Sequence, residues 1–203
     1  MNYLAHAYLS FRQPEILVGN LISDFVKGKK KEEYPELIRK GIQLHRLIDQ
    51  YTDNHEATMR AKAFFRPACG LYAGAFIDIV YDHFLANDTK EFPQHSLAEF
   101  SQYTYQQMQP FEAVFPEKFS RMFYYMKLQD WLFNYQFRKG VQNSFAGLVR
   151  RAKYLNHYQP AFEAFETNYA ALNDCYQVFF PDIRDYAYQQ LIQWRIIVNT
   201  NPG

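Results

Sequence analysis

Signals that start α-helices recur along the whole chain. Each is a polar cap or a proline in the first turn, and all except Asn2 are followed by acidic residues that suit the positive end of the helix dipole. They occur at Asn2, Pro14-Glu15, Pro35-Glu36, Ser96 with Glu99, Pro116-Glu117 and Pro181-Asp182. Only 25 of the 203 residues are valine, isoleucine or threonine, and no segment alternates apolar and polar residues over a strand's length. The sequence therefore predicts an all-α protein.

The spacing of apolar residues predicts about eight helices, and a further pair near the C-terminus, in one multi-helix bundle. The expected segments are residues 2–11, 14–27, 35–52, 55–65, 69–86, 96–109, 116–138 as one helix or two, 141–155, and a pair at 160–179 and 182–198. Residues 87–95 are expected to form a loop, and the charged run at residues 29–33 a solvated turn. The length fits a single domain over residues 1–203.

Composition excludes several classes of protein. Lys and Arg number 22 against 21 Asp and Glu, so the chain lacks the positive charge of a general nucleic-acid binder. Apolar residues make up 48% and aromatic residues 19%, which excludes a disordered chain. Two cysteines are too few for a disulfide framework, the first residues lack a signal-peptide pattern, and Asp78, Asp82 and His83 interrupt the most apolar stretch. We therefore expect a cytoplasmic protein without a membrane span.

Four aspartates lie in apolar helical sequence, where a carboxylate is costly unless it faces water or finds a partner: Asp24, Asp49, Asp78 and Asp82. Residues four apart share a helix face, so Asp78 and Asp82 project together. His45, Asp49 and Asp53 form a second such row. Carboxylates about 5 Å apart repel by roughly 1 kcal/mol per pair in water and by more near a protein surface. A divalent cation would remove this repulsion.

Carboxylates and imidazoles without a thiolate favour Mn²⁺ or Mg²⁺. His83 is a further candidate for this site, and His6 a weaker one. Two alternatives stay open, because a single aspartate on a helix is usually solvated or paired with a base such as Arg46 or Arg60, and a single core histidine is usually hydrogen-bonded. The remaining histidines lie in polar sequence and are assigned no role: His55, His95 and His157.

Four segments together resemble the bacterial acyl carrier protein phosphodiesterases, also called acyl carrier protein hydrolases. They are residues 1–6 (MNYLAH), 19–28 (GNLISDFVKG), 41–53 (GIQLHRLIDQYTD) and 78–85 (DIVYDHFL), and the similarity continues to residues 169–172 and 179–181. The resemblance implies an all-helical fold distantly related to the HD-domain metal-dependent phosphohydrolases. In this chain Asp82 precedes His83, the reverse of the HD order.

The resemblance also implies a reaction. A family member uses Mn²⁺ or Mg²⁺ to hydrolyse the phosphodiester between 4'-phosphopantetheine and a serine of holo acyl carrier protein, giving apo carrier protein and 4'-phosphopantetheine. The hypothesis for this chain is that the metal is held by Asp24, His45, Asp49 and Asp82, with His6 and Asp78 as weaker candidates. Catalytic roles are predicted for His83, which would manage the proton of the leaving serine, for Asp24 and, less strongly, for Asp53.

A basic segment is expected to contact the partner protein. Residues 118–155 contain one acidic residue, Asp130, and eight bases: Lys118, Arg121, Lys127, Arg138, Lys139, Arg150, Arg151 and Lys153. An acyl carrier protein is small and acidic, so we expect the last three of these bases to bind it. RNA is the less favoured partner, because aromatic residues at this spacing are usually core. The competing functions are a metal-dependent phosphohydrolase of small molecules such as nucleotides, and a helical binding module without catalysis.

Overall fold

The computed structural model describes residues 1–94 and 96–198, and within these ranges it contains eleven α-helices and no strand. The all-α prediction is therefore confirmed. The helices are α1 (Tyr3–Tyr8), α2 (Pro14–Ile22), α3 (Glu36–Asn54), α4 (Glu56–Cys69), α5 (Ala73–Ala86), α6 (Ser96–Met108), α7 (Glu117–Leu128), α8 (Trp131–Asn134), α9 (Arg138–Arg151), α10 (Gln159–Thr167) and α11 (Tyr169–Gln193). Short 3-10 turns occupy Ser23–Phe25, Gly28–Glu33, Gly70–Tyr72 and Gln109–Val114.

The helix starts predicted at residues 14, 35 and 116 are confirmed to within one residue, but the prediction of a helix start at Pro181 is wrong. This proline lies inside α11, where the buried rings of Phe179 and Phe180 hold the helix against the core. The break comes earlier, at Asn168, whose side-chain amide donates to the carbonyl of Ala164 at the end of α10. Burial of an apolar helix face thus outweighs the one hydrogen bond that a proline removes.

The long segment predicted at residues 116–138 is divided at Asp130. This residue has a left-handed backbone (φ 44°), and its carboxylate accepts a hydrogen bond from the main-chain N–H of Phe133, which caps α8. The carboxylate also accepts from Ser101 and Gln102 on α6. A local cap and a tertiary anchor therefore end α7 at the same place.

Helix α5 is the centre of the core and packs against α1, α4, α9 and α11. Its buried rings make most of these contacts. Phe76 meets Phe145 of α9 edge to face with centroids 4.7 Å apart, and Tyr81 stacks on Phe179 of α11 at 4.9 Å. Such aromatic pairs contribute about 0.5–1.5 kcal/mol each beyond the area they bury. The excess of aromatic residues is thus used to fill the space between α5 and its neighbours.

Helices α2 and α3 approach so closely that two glycines are required at their contact. A Cβ atom on Gly19 would lie 2.0 Å from the carbonyl oxygen of Ile38, and one on Gly41 would lie 2.3 Å from that of Ile16. Neither backbone can move away without separating the helices. Gly41 precedes His45 by one helical turn, so this contact fixes the position of the predicted metal ligands.

One stretch, Glu56–Ala86, passes a test for a membrane-crossing helix that considers length and composition only. The expected absence of a membrane span stays a prediction. The stretch is interrupted at Gly70, which has a φ of +53°, and it places Phe65, Phe76 and Tyr81 in the protein core. Core helices pass the same test, so the result is weak evidence for a membrane span.

Candidate metal centre

Two histidines and an aspartate from α1 and α3 meet in one cluster. His6 Nε2 lies 3.2 Å from Asp49 Oδ1, and His45 Nε2 lies 3.1 Å from Asp49 Oδ2. The two imidazole rings stack with their centroids 4.0 Å apart. One ligand atom from each residue lies within 4.8 Å of the others, a separation that a single cation can bridge. The four-residue spacing of His45 and Asp49 places them together, as the sequence predicts.

A buried asparagine holds the His6 ring in the orientation a metal ligand needs. Asn20 donates its amide N–H groups to the His6 carbonyl and the Ser10 hydroxyl, so its amide oxygen faces His6 Nδ1 at 2.8 Å. Nδ1 therefore carries the proton, and Nε2 presents its lone pair to the cluster. His6 Nε2 is buried and, although near Asp49, has no hydrogen bond of good geometry. A cation would satisfy this nitrogen, so the donor set fits a metal ion.

Asp24 extends the cluster on its exposed side. Its Oδ1 lies 3.2 Å from His45 Nε2, and 67% of its side chain is exposed. Burial opposes protonation of His45, but the hydrogen bonds and charges of Asp24 and Asp49 raise its pKa to about 9. Burial and the charge of His45 lower the pKa of His6 to about 4. The two carboxylates thus surround one positive charge, whose place a dication can take.

Asp78 lies beside this cluster and contacts it indirectly. Its Oδ1 accepts a hydrogen bond from the α-ammonium group of Met1 at 2.8 Å, and the same nitrogen lies 3.7 Å from Asp49 Oδ1. Burial raises the pKa of the Asp78 carboxyl, while the Met1 ammonium group lowers it. Asp78 is therefore joined to Asp49 through Met1 and does not touch either histidine of the cluster in the part of the chain described.

Asp82, one turn further along α5, serves a different purpose. It is fully buried and accepts hydrogen bonds from the main-chain N–H groups of Asn2, Leu4 and Ala5 at 3.2, 2.7 and 3.3 Å. The side chain of Asn2 makes no capping bond of its own, so Asp82 caps α1 from a distant helix. The structure does not bring Asp82 to the histidine–aspartate cluster, contrary to the hypothesis that it holds the metal with His45 and Asp49.

His83 and Asp53 also lie away from the cluster, contrary to their predicted catalytic roles. The His83 ring is buried, with Nδ1 2.7 Å from the Tyr135 carbonyl and Nε2 3.0 Å from the Tyr169 hydroxyl. Asp53 lies on the helix turn after Asp49 but pairs with Lys62 at 2.6 Å. Of the histidines assigned no role, His55 pairs with Asp182 and His157 is exposed, while His95 lies outside the described residues.

The basic segment is less uniform than its sequence indicates. Three of its bases pair with nearby glutamates: Arg121 with Glu117, Lys127 with Glu112, and Arg138 with Glu166. Arg150 and Arg151 are exposed at the end of α9, and within residues 1–94 and 96–198 no carboxylate lies within 4.0 Å of either guanidinium. Lys153 is exposed beyond the helix and lies over the Tyr154 ring.

Sequence reasoning assigned no role to Asn20, although one signal was available. An asparagine occurs in the middle of α2, whose other central residues are apolar or glycine, and it is fully buried. A buried amide needs hydrogen-bond partners, so a search for its partner among the nearby polar residues would have considered His6. The partner itself belongs to another helix, which the local pattern cannot identify.

Comparison with known proteins identifies the family. The model of the family described as acyl carrier protein phosphodiesterase matches residues 1–183. Proteins named acyl carrier protein phosphodiesterase include relatives from Photorhabdus laumondii, 31% identical over 92% of this chain and 95% of the relative, and from Klebsiella pneumoniae (strain 342), 33% identical over 90% and 95%. A relative of the same name from Escherichia coli O157:H7 is 31% identical over 89% and 94%. No solved structure matches the chain. The chain belongs to the acyl carrier protein phosphodiesterase family.

Proposed function

We propose that this protein is a cytoplasmic, metal-dependent phosphodiesterase that acts on holo acyl carrier protein. It hydrolyses the phosphodiester between 4'-phosphopantetheine and serine, and releases apo carrier protein and 4'-phosphopantetheine. The names of its relatives support the reaction and the substrate. The observation that carries the metal-dependent form is the convergence of His6, His45 and Asp49, in which two buried imidazole nitrogens, His6 Nε2 and His45 Nδ1, lack a hydrogen-bond partner.

The ligands we propose for Mn²⁺ or Mg²⁺ are His6, His45 and Asp49, joined by Asp24. When bound, such a cation neutralises the charge of the phosphodiester and lowers the pKa of a water molecule. The protein's own residues prepare the site for this. Asn20 fixes the lone pair of His6, and Asp49 reaches both histidines with its two oxygens.

Asp24 is the residue we propose for proton transfer. It contacts His45 through one oxygen and exposes most of its side chain, so its second oxygen is available to a water molecule at the open face of the site. His83 is a poorer candidate for this role, since both ring nitrogens are engaged by the Tyr135 carbonyl and the Tyr169 hydroxyl. A general base must lie within hydrogen-bond reach of the proton that it removes.

The test is intact mass spectrometry of holo acyl carrier protein incubated with the enzyme and Mn²⁺. We expect the carrier protein to lose its phosphopantetheinyl group, and we expect EDTA, His45→Ala and Asp49→Ala to abolish the loss. His157→Ala is the matched control, because His157 is exposed and lies outside the cluster. Mn²⁺ at about 100 times its Kd should also stabilise the wild type by about 2.7 kcal/mol, and His45→Ala should show no such gain.

Two other results would contradict the proposal. Turnover of nucleotides or aryl phosphates in Mn²⁺, with an unchanged carrier-protein mass, would indicate a phosphohydrolase of small molecules. No turnover of any phosphoester and no stabilisation by Mn²⁺ would indicate a helical binding module whose polar cluster is purely structural.

A further inference from the structure

A cavity of about 740 Å³ lies between α9, the segment around α8, and the start of α1. Its volume falls in the range of about 300–1,000 Å³ that is typical of small-molecule sites. The lining includes Asn2 and Tyr3 before and at the start of α1, and Ile79 of α5. Ile79 directly follows Asp78, and Asn2 directly follows the Met1 nitrogen that contacts Asp49. At two points, therefore, a residue of the cavity lining is the sequence neighbour of a residue that contacts Asp49 directly or through Met1.

One face of α9 forms the long wall of this cavity. Its residues recur at helical spacing and are small or polar rather than apolar: Gly140, Asn143, Ser144, Gly147, Arg150 and Arg151. The opposite face of the helix carries Val141 and Phe145, which are fully buried in the core. A helix that packs against the protein on one side and presents glycine, serine and asparagine on the other leaves room for a ligand with hydrogen-bonding groups.

The chemistry of the other walls is mixed. Trp131 and Phe137 supply apolar surface, while Gln129 and Asn134 supply amides, so the cavity can hold both alkyl and amide groups of a flexible ligand. At its far end the helix contributes the two arginines that have no carboxylate within 4.0 Å in the described chain. Arg150 folds over the wall, since its Nη2 is the nearest atom to a Cβ placed on Gly147, at 3.7 Å.

Tyr3 lies at the wall that the cavity shares with α1, the helix that carries His6. The phenol of Tyr3 lines the cavity, and burial first, then the charge of Asp24, raises its pKa, while Arg151 lowers it. Tyr3 is thus within electrostatic reach of both the exposed carboxylate of the metal cluster and a guanidinium of the cavity. A ligand with an anionic group near the metal centre and an amide-containing arm extending along α9 would contact both the metal centre and the arginines of the cavity.

We infer that this cavity binds the pantetheine arm of the substrate, with Arg150 and Arg151 pairing with its phosphate and the polar face of α9 receiving its two amide groups. The inference rests on the proposed function, because it assigns a place to the group which that reaction releases. Bidentate guanidinium pairing suits a phosphate that must be held in one orientation. The carrier protein itself then stays outside the cavity, and its serine lies at the cavity mouth beside Asp24.

Gly147→Leu tests the inference by filling the cavity. A Cβ atom at this position has only the flexible end of Arg150 within 4 Å, so the branch point of the new side chain clashes with nothing, and leucine also favours a helix over glycine. We expect its affinity for 4'-phosphopantetheine, measured by titration calorimetry in Mn²⁺, to fall at least tenfold. Gly147→Ala is the matched control and should bind as the wild type does. Thermal stabilisation by Mn²⁺ should be the same in all three proteins.

A second pair of measurements tests the arginines. The double variant Arg150→Ala/Arg151→Ala should bind 4'-phosphopantetheine at least tenfold more weakly and bind pantetheine, which lacks the phosphate, with unchanged affinity. The control is Arg66→Ala, which removes an exposed arginine of α4 and should change neither of these two affinities. Equal binding of 4'-phosphopantetheine by wild type and Gly147→Leu, or binding no tighter than that of inorganic phosphate, would overturn the inference.

The two failures can be told apart. A wild-type protein that releases no phosphopantetheine from holo carrier protein refutes the proposed function. A wild type that releases it, together with a Gly147→Leu variant of unchanged KM and unchanged product affinity, refutes only the assignment of the cavity.

Discussion

Removal of the Asp82 carboxylate is expected to loosen α1 from the protein. In Asp82→Ala the N–H groups of Leu4 and Ala5, both fully buried, lose their acceptor, while that of Asn2 can bond to water. Two buried unpaired donors cost about 1–3 kcal/mol each. Part of this is offset, since burial raises the pKa of Asp82 to about 7 and the variant no longer has to desolvate a carboxylate. We expect a net loss of about 2–4 kcal/mol in the free energy of unfolding.

For a chain of 203 residues this loss corresponds to a fall in Tm of about 4–16 °C. The assay is thermal unfolding followed by helical circular dichroism, in EDTA so that no metal contributes. Asp24→Ala is the control, because its side chain is mostly exposed and its pairing contributes about 1 kcal/mol or less. We expect Asp24→Ala to lose hydrolysis and to keep its helical circular dichroism signal. An Asp82→Ala protein with wild-type Tm in EDTA, and without stabilisation by Mn²⁺, would show that Asp82 is a metal ligand and refute this reasoning.

Two further predictions concern the helices around the site. Gly19→Ala should lower the free energy of unfolding, measured in urea, by about 1–3 kcal/mol or more, because the new Cβ lies 2.0 Å from the Ile38 carbonyl oxygen. The control is Gly74→Ala, whose Cβ meets only the flexible Lys62 side chain at 3.3 Å and which should lose no stability. Equal losses in the two variants would contradict the close α2–α3 contact. Burial lowers the pKa of His83 below its ordinary value near 6.5, so as the pH falls through 6.5 the unfolded chain binds a proton that the native protein does not, and the wild type loses stability. The difference in unfolding free energy between wild type and His83→Gln should therefore narrow from pH 7 to pH 5, and parallel pH curves would show that His83 is not buried as a neutral ring.

The part of the metal cluster that lies on a single helix, α3, was predictable from the sequence. The spacing of His45 and Asp49 is enough to place both side chains on the same face of α3. The neighbouring pair Asp82 and His83 shows the opposite case, since adjacent residues of a helix point about 100° apart. One of them reaches α1, and the other reaches Tyr135 and Tyr169. Asp82 and His83, although adjacent in the sequence, therefore do not meet at one site.

Helix boundaries show a similar division between local and tertiary causes. Pro14, with its acidic neighbour Glu15, starts α2 as the local signal predicts. Pro181 carries the same local signal, but the surrounding rings are fully buried and continue the helix through it. The two outcomes can be distinguished only when the packing partners of Phe179 and Phe180 are known, and these partners lie on other helices.

Helix α1 links the two halves of the proposed site, although it has only six residues. It carries His6 to the metal cluster, its first residues line the α9 cavity, and its main chain is held by Asp82. A helix this short is not stable by itself, so its position depends on that buried carboxylate. We therefore expect Asp82→Asn, which keeps one acceptor oxygen, to weaken both the stabilisation by Mn²⁺ and the affinity for 4'-phosphopantetheine, even though Asp82 touches neither ligand in this arrangement. If only one of the two were weakened, α1 would not be the element that couples the metal centre to the cavity.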